Sequence, residues 1–130
     1  MRILELINWI KGRVSYTYYP NRFPPNAVDD CAVVVLHAGE AASEWTGKRI
    51  PHFQVLVRGK PNDHAGAEAK ANEIFDALIN QAHVQIGSDH VVQIQAMGSA
   101  PFYVGEDENY RPVYSMNFRV IIRPVINKGG

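Results

Sequence analysis

The chain has 130 residues, 46% of them hydrophobic, so it is long enough for one domain with a sizeable core and too apolar for global disorder. Its 13 basic and 13 acidic residues cancel, which argues against a nucleic-acid-binding domain, because such domains usually carry a basic excess. The single cysteine, Cys31, excludes intrachain disulfides and multi-cysteine metal sites, and no apolar run approaches the roughly 18 residues that cross a bilayer.

The first eleven residues predict a short amphipathic helix. Ile3, Leu6, Ile7 and Ile10 recur at the spacing of one helical face, and Gly12 is the expected end. A charged residue inside this stretch, Glu5, and the lack of a small-residue cleavage site are unlike a signal peptide. We therefore expect a soluble, unprocessed chain made in a reducing compartment.

Residues 16–28 predict a loop, because three prolines disfavour both a helix and a central strand. The segment is also rich in aromatic residues, which are enriched at protein interfaces. It is therefore either a packed, extended connection or an arm that grips a neighbouring subunit. Tyr18 and Phe23 are its candidate contact residues.

Two strands and a long helix follow. The apolar run 31–37 indicates a strand buried on both faces. Residues 39–51 predict a long hairpin loop or an irregular excursion, and residues 52–58 predict a half-buried strand with alternating polarity. Residues 62–82 predict the most regular helix, capped by Asn62 or Asp63. Its apolar stripe begins with alanines, so the helix should approach the sheet closely at its start. The stripe comprises Ala67, Ala71, Ile74, Phe75, Leu78, Ile79 and Ala82.

Two further strands are predicted over residues 91–97 and 113–123. The inward positions are Val92, Ile94 and Ala96 in the first, and Tyr114, Met116, Phe118, Val120 and Ile122 in the second. Residues 98–112 form the connection between them, and residues 125–130 are expected to be a loose tail. We predict a single domain over residues 1–130, of the α+β class, with an antiparallel or mixed sheet of about four main strands and two helices on one face.

No pattern of catalytic or metal-binding residues emerges. The five histidines are dispersed, Cys31 opens an apolar strand like a small buried hydrophobe, and no phosphate-binding glycine loop is present. We therefore expect no enzymatic activity and no cofactor or metal. What remains is a predicted outer sheet face that is polar, basic and devoid of carboxylates. It comprises Gln54, Arg58, Gln93, Gln95, Asn117, Arg119 and Arg123.

Separated charge on a neutral chain favours head-to-tail self-association, in which one surface meets a different surface of the next copy. The negative charge lies in loops and on the second helix, with an acidic trio at residues 106–108. An ordinary solvated sheet face accounts for the same pattern equally well.

The segments VRG (57–59), PFYVGEDENYRP (101–112) and NFRVIIR (117–123) resemble the tail terminator proteins, or minor capsid proteins, of long-tailed bacteriophages. The amino-terminal helix and the proline-rich stretches NRFPPN and IPHF are also similar, and the resemblance covers roughly residues 3–124. It implies a non-enzymatic virion protein that assembles as a six-membered ring on the end of the tail tube. Such a ring ends tube growth, meets head-completion proteins, and lets DNA pass through its lumen without specific binding.

Within that resemblance, we hypothesise that Glu106, Asp107 or Glu108 pairs with Arg119 or Arg123 of a neighbouring copy. The expected partners are other copies of the chain, the tube protein and a connector protein, with no membrane. The expected location is the head-proximal end of the virion tail, after assembly in the host cytoplasm.

Three other functions stay open: a head-to-tail stopper or adaptor protein, a small α+β enzyme or ligand-binding domain with a pocket near His37 or His52, and a nucleic-acid binder. The last would use Arg58, Arg119 and Arg123 together with the tyrosines of residues 16–19.

Overall fold

Within residues 1–124, seven strands form one mixed sheet, and two helices pack on one of its faces. The computed structural model describes residues 1–124, so the tail predicted at 125–130 lies outside the described residues. In chain order the elements are α1 (Ile3–Arg13), β1 (Tyr18–Pro20), β2 (Cys31–Glu40), β3 (Ile50–Arg58), α2 (His64–Leu78), β4 (Ala82–Ile86), β5 (Asp89–Ala96), β6 (Phe102–Glu106) and β7 (Pro112–Ile122).

The strand order is β1-β2-β3-β7-β5-β4, and β6 pairs with β7 next to β5. Only β1 and β2 run parallel among the strand pairs of residues 1–124. The α+β class, the mixed sheet and the two helices are confirmed, whereas the prediction of about four strands is wrong. The missed strands are β1, β4 and β6, with 3, 5 and 5 residues. Each is a short edge strand, defined by its pairing partner rather than by its own hydrophobic pattern.

The core lies between the helices and the inward face of the sheet. The predicted alternation of β3 and β7 is confirmed, because every predicted inward residue of these two strands is buried. Gly59, just after β3, lies so close to the start of α2 that a Cβ added to it would be 2.8 Å from the Ala67 Cβ. This confirms the expected close approach of the helix to the sheet. The helical side of the core is formed by Leu6, Ile7, Ile10, Ala67, Ala71, Ile74, Phe75 and Leu78.

Both helices differ from their predicted ends. The first continues through Gly12 to Arg13, where Val14 is the carboxyl-terminal cap. The second is shorter than predicted, beginning after Asp63, which accepts a hydrogen bond from the Gly66 N–H at 2.9 Å, and ending before Ile79, whose backbone is extended. Ala82, predicted on the helical stripe, is an exposed residue of β4.

A bulge changes which residues of β5 face the core. The sequence alternation predicts Val92 inward, but Val91 and Ile94 are the buried residues, because the pairing with β7 shifts register between Val91 and Gln93. The two histidines predicted in a turn region, His83 and His90, instead lie on the paired strands β4 and β5.

The hairpin predicted at 39–51 exists, but its strands reach further into it, to Glu40 and from Ile50. The pairing shifts register between His37 and Glu40, where Gly39 has φ +70°. A Cβ at Gly39 would come 2.2 Å from the Ile50 carbonyl oxygen, so only glycine fits this bend. The bend turns the Glu40 side chain onto the sheet face opposite the helices.

Candidate functional site

The face of the sheet opposite the helices, termed here the outer face, carries a polar row across four strands. Strand pairing aligns His37, His52, Arg119 and Gln95 side by side. Arg119 binds both carboxylate oxygens of Glu40, at 2.5 and 3.2 Å, and donates to the Gln95 side-chain oxygen at 2.7 Å. The expectation that this face lacks carboxylates is therefore wrong, because the bulge at Gly39 brings Glu40 onto it.

The hydrogen bonds from Arg119, followed by that from His52, lower the pKa of Glu40 from 4.5 to about 2. A carboxyl group whose pKa is lowered by folding stabilises the native state above its unfolded pKa, and that stabilisation disappears as the pH falls through the folded value. The contribution is therefore complete above about pH 4.5 and is lost towards pH 2.

We expect Glu40→Gln to make the unfolding midpoint less dependent on pH between 4.5 and 2, with a small effect at neutral pH because the pair is exposed to solvent. Thermal unfolding at several pH values and a carbon-detected titration of Glu40 measure this. Glu44→Gln, which changes an exposed glutamate of the 41–49 loop, is the matched control. A Glu40 carboxyl that titrates near 4.5 in the folded chain contradicts the prediction.

The sequence predicts Arg58 on the polar outer face of the sheet, but only 4% of this residue is exposed. Its guanidinium donates to the Asp29 carbonyl at 2.9 Å and the Val28 carbonyl at 2.8 Å, and it lies 4.5 Å from the centre of the Phe23 ring. The loop after β1 is thus folded over the end of β3. Phe23, a predicted contact residue, packs within the subunit.

Asp107 holds the turn between β6 and β7 in place. One carboxylate oxygen accepts hydrogen bonds from the N–H groups of Asn109 and Arg111, each at 3.0 Å, and the other accepts from Arg111 Nε at 2.7 Å. Arg111 also reaches the Asp29 carboxylate at 3.0 Å, and Arg58 lies 3.8 Å from Asp107. Burial raises the pKa of the Asp107 carboxyl, but these hydrogen bonds outweigh it and the pKa is lowered.

The predicted contact residues therefore do not form one site. Tyr18 is buried and its hydroxyl donates to the Val14 carbonyl at 2.9 Å, so it belongs to the core. Asp107 pairs with Arg111, and Arg119 pairs with Glu40, both within the subunit. Glu106 lies 3.9 Å from His64, and Glu108 is exposed with no ion pair to any residue in 1–124.

Arg123 lies at the end of β7, in a groove of about 580 Å³. Arg49 lines the same groove, together with the apolar residues Ile50, Ile122 and Pro124. Within residues 1–124, neither arginine side chain forms an ion pair, whereas the groove carboxylates of Glu40 and Asp89 pair with Arg119 and the amino group of Met1. The groove thus combines apolar walls with two available guanidinium groups.

Several large apolar side chains are exposed, and sequence patterns did not single them out. Trp45, in the 41–49 loop, is 97% exposed, and Tyr110, beside Glu108, is 61% exposed. The edge strand β6 exposes Phe102, Tyr103 and Val104. The apolar letters of β6 were visible in the sequence, but their exposure depends on β6 lying at the sheet edge.

The described part of the chain holds no cluster of three or more His, Cys, Asp or Glu side chains that could bind a metal. His83 Nδ1 and His90 Nε2 lie 3.2 Å apart, and burial lowers the pKa of His90. Cys31 is buried, and burial raises the pKa of its thiol, which disfavours the nucleophilic thiolate. Neither helix in residues 1–124 is long and apolar enough to span a membrane.

The sequence of residues 11–124 matches the model of a known family, described as bacteriophage tail terminator protein. No curated protein sequence matches the chain. Among solved structures, a chain of the virion of a native gene transfer agent particle has a TM-score of 0.63 at 16% identity, covering 87% of this chain and 83% of that one. Another solved chain has a TM-score of 0.54 at 14% identity, covering 95% and 92%. At such identities the structural matches establish the fold alone.

The family match spans most of the chain, and the family is one of structural proteins of the phage particle. This agrees with the surface just described, on which exposed apolar and charged groups lie at edges and loops. The chain therefore belongs to the bacteriophage tail terminator family and is a structural protein of the phage tail.

Proposed function

We propose that this chain caps the end of the phage tail tube as a ring of subunits, with six as the expected number. The ring ends tube polymerisation and forms the joint to the head-completion proteins. It lies at the head-proximal end of the tail, after assembly in the host cytoplasm. DNA passes through its lumen without specific binding, consistent with zero net charge.

The observation that carries this proposal is the almost complete exposure of Trp45. Tryptophan is among the residues that contribute most to protein interfaces, so an almost fully exposed tryptophan is typical of a contact surface. Trp45 lies on the 41–49 loop, Tyr110 on the β6–β7 turn and Phe102 on an edge strand, so separate regions of one subunit present apolar contacts. A ring subunit needs several such surfaces, because it meets two neighbours, the tube below and the connector above.

The test uses the phage that encodes the chain, with the gene deleted and then restored. We expect tails made without the chain to carry tubes longer than wild type and to lack heads. Addition of purified chain should place a six-fold ring on one tube end, visible by negative-stain microscopy.

Tails of normal length that fail only to join heads would contradict tube termination and favour the stopper or adaptor function. A chain that co-purifies with heads rather than tails would do the same. Turnover of a small substrate by the purified chain would contradict the proposal altogether.

We further expect Trp45→Ala to reduce attachment of the chain to tubes by at least tenfold, as is typical for the loss of a central interface tryptophan. Quantitative pull-down with purified tubes measures this. Glu44→Ala, at the preceding exposed position, is the control for disturbance of the loop. Equal attachment of the tryptophan variant and the wild type would exclude Trp45 from the contact.

A further inference from the structure

We propose that neighbouring subunits join by insertion of the β6–β7 turn of one copy into the groove at the far end of β7 in the next. The turn comprises residues 107–110 and is termed here the acidic tip. The groove is the one that contains Arg49 and Arg123, termed here the basic groove. This inference rests on the proposed ring and identifies which surfaces close it.

The acidic tip has the chemistry of an inserting group. Glu108 presents a carboxylate with no ion pair within residues 1–124, and Tyr110 presents an aromatic ring that is 61% exposed. The basic groove offers the complement, since it has two guanidinium groups without a carboxylate partner in residues 1–124 beside apolar walls. An arginine guanidinium can bind a carboxylate with good geometry, while a tyrosine fills an apolar slot and keeps its hydroxyl towards water.

The tip is also rigid before it binds. Asp107 accepts hydrogen bonds from Asn109 and Arg111, and the Tyr110 N–H donates to the Asp107 carbonyl at 3.0 Å. On the other side, the Tyr110 carbonyl accepts from the Asn62 N–H at 2.8 Å. Because the turn is already ordered, its insertion loses little conformational entropy. The role of Asp107 is thus to hold Glu108 and Tyr110 in position rather than to pair with a neighbour.

The two surfaces cannot meet within one subunit. The acidic tip lies just before the first residue of β7, and the basic groove lies at the carboxyl-terminal end of the same strand. This strand has 11 residues. At about 3.3 Å per residue, they are separated by roughly 33 Å. A contact between two different surfaces repeats from copy to copy, and it closes into a ring when the rotation between copies permits.

A charge-swap experiment tests the contact. We expect Glu108→Arg and Arg123→Glu each to reduce ring occupancy on tubes by at least tenfold, because each places like charges at every junction. A mixture of the two single variants should recover rings, since alternating copies restore opposite charges, and so should the double variant. Asp76→Arg and Lys11→Glu change the same charges on exposed positions of the helices and serve as controls.

A second measurement does not depend on charge. Because Cys31 is buried, a double variant with Glu108→Cys and Arg123→Cys should form a ladder of disulfide-linked oligomers under oxidising conditions, whereas each single variant should not form a ladder beyond dimers. Far-ultraviolet circular dichroism verifies that all variants are folded.

The outcomes separate this inference from the proposed function. Three results together would overturn the tip-and-groove contact and leave tube capping intact. The wild type forms rings on tubes, the single charge variants form equally good rings, and no disulfide ladder appears. A wild-type chain that forms no ring on tubes would contradict the proposed function, and the contact with it.

Discussion

Phe118→Ala is expected to lower the free energy of unfolding by about 4 kcal/mol, the largest effect anticipated for a single substitution in this chain. Phe118 is fully buried in the middle of β7. Its ring stacks on Phe53 of β3 at a centroid distance of 4.9 Å and meets Phe75 of α2 at 5.8 Å. Truncation removes apolar contacts to a strand and a helix at once and leaves a cavity that surrounding residues only partly fill.

Urea unfolding followed by tryptophan fluorescence measures this change. Phe118→Leu retains much of the volume and should cost about 1.5 kcal/mol, so it separates loss of volume from loss of the ring. An alanine variant within 1 kcal/mol of the wild type would show that the aromatic cluster does not organise the core.

Arg58→Ala is expected to lower the free energy of unfolding by about 3 kcal/mol. The guanidinium anchors the loop at residues 21–30 through the Val28 and Asp29 carbonyls, and it lies between Phe23 and Asp107. Its removal leaves a gap at the end of β3 and takes a charge away from the Asp107–Arg111–Asp29 network.

Chemical denaturation measures the loss of stability, and hydrogen exchange at the Asn109 and Arg111 amides reports the loosening of the turn. Arg22→Ala, at an exposed position of the same loop, should change stability by less than about 0.5 kcal/mol. Equal stability of the Arg58 and Arg22 variants would contradict the anchoring role of Arg58. Because the turn carries Glu108, we also expect the Arg58 variant to assemble less well than its remaining stability alone would indicate.

Long, strongly periodic segments were predictable from the sequence. In β3 and β7, alternation identified every buried core residue, and in α1 the helical spacing identified Leu6, Ile7 and Ile10. A single strong period suffices in these segments because one face is buried along their whole length. The same reasoning failed for β5, where a bulge between Val91 and Gln93 breaks the alternation.

The candidate site was less predictable. The sequence pointed to charged residues in the 106–108 loop and in the last strand as candidate contacts, but it could not assign partners to them. Asp107 pairs with Arg111, and Arg119 with Glu40, which is 79 positions away in the chain. Sequence spacing contains no information on such a contact, because the bulge at Gly39 that positions Glu40 arises from strand pairing.

The amino-acid sequence was enough to identify the class of protein: an α+β domain of balanced charge, whose segments resemble the tail terminator family to which it belongs. Local periodicity and composition suffice for the fold class, since they depend on which residues a helix or strand must bury, whereas the family follows from the resemblance of particular segments. The folded chain was needed to show which charges of residues 1–124 are already paired and which remain available to a neighbour. Pairing depends on distances between strands that are remote in sequence, and these distances are set by sheet register, bulges and the covering loop.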